Sequence, residues 1–423
     1  MIRGRALYLL IILLLLILSL SYYYFFYKED KKYNLKITQT SFSSLIGWNE
    51  DNHLKAIEVF KFSCEKIINL DPKHIMGGKL QRDDKISYGG LAEDWYSVCN
   101  KLIVSEIFKK NEAKKFFEKW FTPYKITKTI NGSKLFTGED LGLFTGYYEP
   151  IFQGNYTKTD IYNVPLYSYP SSYQKINLGQ FKSSLKGEVI TLKVIKNKIY
   201  PSDTRQEINE GKLSNKVKVI YWLKSDIDAF FLHIQGSGII ELPDGKKDRV
   251  SYAGSNGHNY YPIGKYLIEN GIVKRENLSM DIIRSWLKKN NDKKKLLFEK
   301  NKRYIFFKKL NLNHAVGAQN TKLVKGRSLA IDTSWIPMGI PVWLEIIKSG
   351  NKNNNISDIK KLMITQDTGK AIKGIIRGDY YWGSGPDAGI MAGSMNNLGR
   401  YYVLLPKTLL KKNKYEEKKY KKL

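Results

Sequence analysis

Apolar positions along the chain change their spacing several times, and each change marks a different kind of element. From Ala6 to Tyr27 the chain is uncharged and mostly Leu and Ile. At ~1.5 Å per residue such a run reaches about 33 Å, enough to cross a bilayer core. Arg3 and Arg5 precede it, and Tyr22 to Tyr27 form an aromatic cluster where an interfacial belt would sit, just before the charged run at Lys28. Residues 1–27 are therefore expected to be a transmembrane anchor. A cleaved signal peptide is the alternative, but no small-x-small site follows Leu20, and no Cys lies near the run for lipid attachment. Lys28, Lys31 and Lys32 compete with the two arginines under the positive-inside rule; the body is taken as exported.

Helical spacing follows. Leu54, Ile57, Phe60, Cys64, Ile67 and Ile68 share one face, and Leu91, Trp95, Val98, Cys99 and Leu102 share another. Residues 28–131 read as mostly helical, with a segment from Glu112 to Phe121 that Asn111 could cap. Beyond Leu141 the pattern turns to short apolar or alternating runs: Val189–Ile195, Val217–Leu223, Ala229–Ile234 and Ile239–Leu242. Asp244-Gly245 joins the last of these to Arg249–Ala253 as a hairpin. Helical periodicity returns over Pro262–Asn270 and Met280–Lys288, where Met280, Ile283 and Trp286 read as core. Strands at Val342–Ile347, Leu362–Thr365 and Tyr401–Leu405 complete a β-rich end, followed by a lysine-rich tail, 407–423.

The two cysteines, Cys64 and Cys99, sit on the two helical faces. They read either as buried thiols or, in an oxidising compartment, as a bridge. With two Cys and five His, a metal site is not expected, and nothing calls for a cofactor. The balance of 70 Lys+Arg against 40 Asp+Glu leaves +30. That field would attract an anionic polymer: nucleic acid, acidic lipid, or cell-wall glycan carrying peptide carboxylates. No Arg/Lys-rich recognition helix accompanies it, so nucleic acid is not expected as a partner.

Candidate chemistry concentrates between Gly326 and Arg400. Asp332 stands in Ser-Leu-Ala-Ile-Asp-Thr-Ser-Trp-Ile-Pro, Asp367 in Ile-Thr-Gln-Asp-Thr-Gly, and Asp379 in Arg-Gly-Asp-Tyr-Tyr-Trp-Gly. An Asp at a strand end ordinarily caps backbone amides. Asp379 differs in being flanked by Tyr380, Tyr381 and Trp382, whose faces suit sugar rings and whose bulk could shield a carboxyl from water. Desolvation of that kind favours a carboxyl that donates a proton. Earlier in the chain Thr145, Tyr147 and Glu149 are candidate contacts, although Gly146 and Pro150 also fit a plain turn. Gln235, Ser237, Tyr252 and Asn256 carry polar groups suited to acetamido and hydroxyl contacts, and Gly236, Gly254 and Gly257 permit close backbone approach. His233, among apolar neighbours, reads as a core histidine.

These segments together resemble the membrane-bound lytic transglycosylase A family of murein-degrading enzymes, whose C-terminal part is named the 3D domain for its three aspartates. The resemblance runs from Phe144 to Pro406 through Phe-Thr-Gly-Tyr-Tyr-Glu-Pro (144–150), His-Ile-Gln-Gly-Ser-Gly (233–238), Tyr-Ala-Gly-Ser-Asn-Gly-His (252–258), Val-Gly-Ala-Gln (316–319), Gly-Arg-Ser-Leu-Ala-Ile-Asp (326–332) and the Asp367 and Asp379 segments. It implies a mainly β protein with N-terminal helices. A double-psi β-barrel would be formed from discontinuous segments, residues 28–150 holding the helical region and the first part of the barrel and 313–406 the 3D part. A β-rich domain, 151–312, would be inserted, and the glycan would lie between the two bodies.

By the same resemblance Asp379 is the catalytic acid, with Asp367 and Asp332 as supporting acids. Thr145, Tyr147, Glu149, Gln235, Gly236, Ser237, Tyr252, Asn256, Gly257, Tyr380 and Trp382 would contact substrate. The implied reaction breaks the β-1,4 bond between N-acetylmuramic acid and N-acetylglucosamine with closure to a 1,6-anhydro end. A glycoside hydrolase, with Glu149, Asp367 or Asp387 as the second carboxyl, and a non-catalytic peptidoglycan-binding protein remain alternatives. Two departures stand out. The chain has no N-terminal Cys for lipidation, which points to the periplasmic face of a Gram-negative inner membrane rather than the outer membrane. Lys370 replaces the second glycine of the family's Asp-Thr-Gly-Gly.

Overall fold

A computed structural model describes residues 33–80, 87–130, 138–275, 278–348, 356–369 and 371–409. The expected anchor, Lys370 and the tail beyond residue 409 lie outside these residues. Among the described residues no helix is long and apolar enough to cross a membrane. They fall into two compact units. The first takes its described residues from 33–145, 316–380 and 396–409, and the second from 146–315 and 381–395.

The first unit is built on an eight-stranded sheet. Its order is Tyr33–Gln39, Phe121–Ile130, Asn396–Pro406, Pro341–Ile346, Ile359–Asp367, Ser328–Ile331, Arg377–Ser384 and Gly142–Glu149. An additional pairing of Asn396–Pro406 with Gly142–Glu149 closes the last six of these strands into a ring. Every residue of Pro341–Ile346 is buried, the pattern of a strand covered on both faces. Helix His53–Ile67 packs against this sheet: Gln366 Nε2 lies 3.2 Å from Ser63 Oγ, and Ser63 Oγ donates to Gln319 at 2.7 Å. A disulfide joins Cys64 to Cys99 on the neighbouring helix Glu93–Ile103. A buried ion pair fixes the loop before the first helix, with Arg327 Nη1 and Nη2 each 2.7 Å from a carboxylate oxygen of Asp51.

Two expectations for this region change. Residues 28–131 are not mostly helical, because Tyr33–Gln39 and Phe121–Ile130 pair as antiparallel strands in register from Tyr33↔Ile130 to Gln39↔Tyr124. The buried side chains of Phe121, Pro123, Tyr124 and Ile126 gain more from the sheet core than local helix propensity offers. Asn111 does not cap the helix at 110–120. It lies inside Lys110–Trp120, and Glu112 instead accepts from the Lys109 N–H at 3.2 Å.

The second unit carries a six-stranded sheet, in the order Ile305–Leu310, Lys247–Ser255, Ser237–Glu241, Ile151–Asn155, Val219–Leu223 and Val164–Tyr167. Beside it stands a three-stranded sheet, Tyr173–Asn177, Val189–Ile195 and Lys198–Pro201. The Asp244-Gly245 hairpin forms with Glu241 opposite Lys247. Ala229–Ile234, expected as a strand, belongs to helix Asp226–Gln235. Ser225 caps that helix, Asp226 and Asp228 lie in its first turn, and Gly236 ends it with φ +80°. The apolar run reads as a strand because the helix is buried on several sides, which erases its amphipathic period. Met280 is 40% exposed, not core, whereas Ile283 is buried and Trp286 partly so. Residues 381–395, expected with the 3D part, cluster here. Their helix Pro386–Ser394 brings Gly389 so near Tyr148 that an added Cβ would stand 3.0 Å from its ring.

Candidate active site

Strand alternation places every second side chain on one face, so Arg377 and Asp379 of Arg377–Ser384 point the same way. Thr145 comes from Gly142–Glu149, the next strand in the sheet order. Its hydroxyl donates to Asp379 Oδ1, and Arg377 Nη1 lies 2.7 Å from the same oxygen. Arg377 Nη2 in turn donates to Thr145 Oγ1 at 2.8 Å. The three groups form a closed triangle. Among the described residues both contacts of the Asp379 carboxyl fall on Oδ1. The carboxyl side chain is 17% exposed and Arg377 12%, a sheltered but reachable site. Gly378 between them cannot be enlarged: a Cβ there would come within 2.9 Å of the Phe144 ring.

The other two aspartates adjoin the same short strand, Ser328–Ile331. Ala330 is registered with Asp367 on one side and with Asp379 on the other, and Asp332 directly follows the strand. Asp332 is buried and spends its oxygens on backbone. Oδ1 accepts from Ser334 N–H at 3.1 Å and Oδ2 from Gly374 N–H at 2.9 Å, with Lys373 Nζ 3.6 Å from Oδ1. Asp367 Oδ1 accepts from Ala318 N–H and Thr368 N–H, each at 2.9 Å, which ties the Val316–Gln319 segment to the strand end. Both acids hold loops in place.

The aromatic residues after Asp379 divide. Tyr380 is 2% exposed, and burial pushes its hydroxyl up to about 12. Its side chain enters the core, where Lys361 Nζ lies 3.3 Å from the hydroxyl, so its ring offers no face to a sugar. Tyr381 is buried against Tyr147, with ring centroids 5.0 Å apart. Trp382 is partly exposed, and its Nε1 donates to Met395 Sδ at 3.3 Å.

Several expected contacts serve the second unit's own structure. Glu149 is buried against Arg249, whose Nε lies 3.1 Å from both carboxylate oxygens; burial raises the Glu149 carboxyl and the arginine opposes that rise. Asn256 is fully buried, its amide donating to the Asp203 and Lys302 carbonyls and accepting from Tyr304 N–H, each at 2.8 Å. It braces a loop rather than presenting a polar edge. Gly257 adopts φ +78°, with space beside Thr191 too small for any side chain. Gln235 and Ser237 flank Gly236 at exposed positions, and Tyr252 is exposed with Lys175 Nζ 5.5 Å from its ring. His233 is buried. Arg377 is not among the sequence candidates; the signal that could find it is its position two residues before Asp379, a spacing that shares one face of a strand. Among the described residues no cluster of three or more His, Cys, Asp or Glu could hold a metal ion.

The family model "MltA specific insert domain" matches residues 143–308 and "3D domain" matches 327–405. The membrane-bound lytic murein transglycosylase A of Escherichia coli (strain K12) is 36% identical over 265 residues, 62% of this chain and 65% of that protein. The protein of the same name from Vibrio cholerae is 30% identical over 280 residues, covering 65% and 69%. The chain thus spans about two thirds of these curated relatives, slightly less for the first. The crystal structure of MltA from Neisseria gonorrhoeae superposes with a TM-score of 0.72 at 27% identity, covering 88% of this chain and 91% of that one. That of E. coli MltA with bound chitohexaose gives 0.59 at 26%, covering 89% and 96%.

Proposed function

Because the chain belongs to the membrane-bound lytic murein transglycosylase A family, we propose that it cleaves peptidoglycan between N-acetylmuramic acid and N-acetylglucosamine and leaves a 1,6-anhydromuramic acid end. The observation that carries this reading is the Asp379 carboxyl, gripped by one oxygen between Thr145 and Arg377 with the other oxygen uncommitted among the described residues. Asp379 gives its proton to the departing O4 as the C1–O4 bond breaks and its electron pair leaves with oxygen. The resulting carboxylate then takes the proton of the muramyl C6 hydroxyl as that oxygen bonds to C1. Water enters nowhere. The nucleophile belongs to the substrate and is already oriented, so one group acting first as acid and then as base suffices.

A hydrolase needs a second carboxyl, ~5 to 5.5 Å away for retention or ~6.5 to 9.5 Å for inversion. Among the described residues Arg249 engages both oxygens of Glu149, whereas the contacts of Asp379 leave one oxygen uncommitted, which favours Asp379 over Glu149 as the reacting acid. The chitohexaose bound by the E. coli relative supports a β-1,4-linked N-acetylated glycan as the ligand class. Of the expected contacts, Gln235, Ser237, Tyr252 and Gly257 are exposed, and Thr145, Tyr147, Gly236 and Trp382 partly so. The six-stranded ring supports a double-psi β-barrel assembled from 28–150 and 313–406 around the insert 151–312. The apolar run at Ala6–Tyr27 and the relatives' membrane-bound name support a periplasmic enzyme tethered to the inner membrane.

The test is digestion of purified sacculi by the full chain, with fragments weighed by mass spectrometry. Anhydro ends are expected, and Asp379→Asn should abolish them while retaining sacculus binding. Reducing ends bearing added water would replace the proposal with a hydrolase, and intact sacculi with a binding protein.

A further inference from the structure

Within the second unit a cavity of about 520 Å³ opens among Val164–Tyr167, Arg205–Asn209, Val219–Leu223, Asp226–Gln235 and Asn291–Lys300. Its walls are aromatic, formed by Tyr167, Trp222, Phe230, Phe298 and Tyr304. Its charged lining is unbalanced: Lys158, Arg205 and Lys295 stand against Asp226 alone, and Asp226 is held by Lys294 at 2.6 Å.

Arg205 is 3% exposed. Its Nε donates to the Asn301 carbonyl at 2.9 Å and its Nη2 to the Arg303 carbonyl at 2.5 Å. The guanidinium also lies 4.8 Å from the Phe230 ring centroid and 5.1 Å from that of Tyr304. Among the described residues it has no carboxylate partner, and Nη1 has no acceptor. Burial lowers this group to about 10, which still leaves it charged near neutrality. A cation removed from water without a counter-ion is strongly disfavoured. His233, on the same lining, is 7% exposed, and neither ring nitrogen has a hydrogen-bond partner among the described residues. Burial holds the imidazole neutral, so it offers one N–H and one lone pair rather than a second positive charge.

A buried cation lacking an anion, an imidazole lacking partners and a cavity with aromatic walls call for one ligand chemistry. We infer that this cavity binds a small organic carboxylate, at a site that shares no residue with the proposed cleavage site. The carboxylate would neutralise Arg205, a polar group beside it would meet His233, and the rest of the molecule would lie within the aromatic walls. The volume lies within the ~300–1,000 Å³ of small-molecule sites. Two sources present this chemistry: an acidic stem peptide of the wall polymer, or a free carboxylic acid.

Calorimetric titration of the full chain with L-alanyl-γ-D-glutamate, its diamide and phenylacetate tests the inference. Saturable binding of at least one carboxylate is expected, with the diamide at least about tenfold weaker. Tighter dipeptide binding identifies the stem peptide as the source, and tighter phenylacetate binding the free acid. Arg205→Met should weaken binding about tenfold or more. Because that change also removes two carbonyl contacts, the exposed pair Lys158→Glu with Lys295→Glu serves as a second variant and should weaken binding several-fold. Sacculus cleavage by that pair is expected to continue, which separates this site from the cleavage reading. Failure of both carboxylates to bind at millimolar concentration, equal binding of the diamide, or unchanged affinity in the folded lysine variant would overturn it.

Discussion

Arg377 Nη1 lies 2.7 Å from Asp379 Oδ1 on the same strand, and the same guanidinium reaches Thr145 at 2.8 Å. One side chain thus fixes both the acid and the hydroxyl that shares its oxygen. A carboxyl held through Oδ1 by two donors has its rotamer fixed.

Thr145→Val and Arg377→Met should therefore act through Asp379. Each is expected to lower kcat about 10- to 100-fold with a smaller change in KM, because misplacing a reacting group costs rate rather than ground-state binding. Arg377→Lys should recover less than a conservative exchange normally does, since an ammonium cannot bridge two acceptors with a planar fork. Steady-state kinetics on soluble glycan fragments, with pH profiles, checks this; equal loss in kcat and in thermal stability would indicate a purely structural role.

Asp332 and Asp379 should separate experimentally. Asp332→Ala leaves the Ser334 and Gly374 N–H groups without their acceptor and should lower stability by about 1–3 kcal/mol. Assayed well below its unfolding temperature, that variant should retain measurable cleavage, whereas Asp379→Asn should have none at any temperature.

The Asp51–Arg327 pair predicts an acid-dependent stability. Burial alone would raise the Asp51 carboxyl, but the Arg327 hydrogen bond and charge, with the Leu362 N–H, hold it below its ordinary value. A lowered folded value means that the carboxylate stabilises the protein above its unfolded pKa, and that this contribution is lost as pH falls through the folded one. Arg327→Met should cost about 3–5 kcal/mol near neutrality, since it strands a buried charge. The deficit relative to the parent should shrink as the pH is lowered from neutrality through and below the ordinary carboxylate range, where Asp51 takes up a proton. Denaturant titrations across that range provide the measurement.

The disulfide between Cys64 and Cys99 closes a separation of 35 residues. Chain entropy assigns such a loop about 3–4 kcal/mol. Reduction, or the double change to serine, should lower the denaturation midpoint accordingly while leaving the residues around Asp379 unaltered. Paired unfolding curves with and without reductant, together with an activity assay, test both halves.

How far the chain announces itself differs by feature. Alternation and turn residues marked the strands at 189–195, 239–242, 342–347 and 401–405, because side-chain period and burial are local properties. Ordered motifs carried the family resemblance, and Asp332 and Asp367 carry the backbone-capping signature that Asp at strand ends predicts. The run 229–234 reads as a strand but forms part of the helix 226–235, since burial on several sides hides its period. Asn256 and Tyr380 were read as ligand contacts because residue type does not reveal which way a side chain faces once the sheet is closed.

By itself the sequence determined which segments are apolar, where turns fall and which acids stand beside glycine and aromatic residues, since these follow from local composition and period. Tertiary structure alone decided that Thr145 meets Asp379 across 234 residues, and that Arg205 is buried with no carboxylate partner among the described residues. The physical reason is that strand register and cavity lining arise only when distant segments close on one another, and no local pattern encodes the partner that closure supplies.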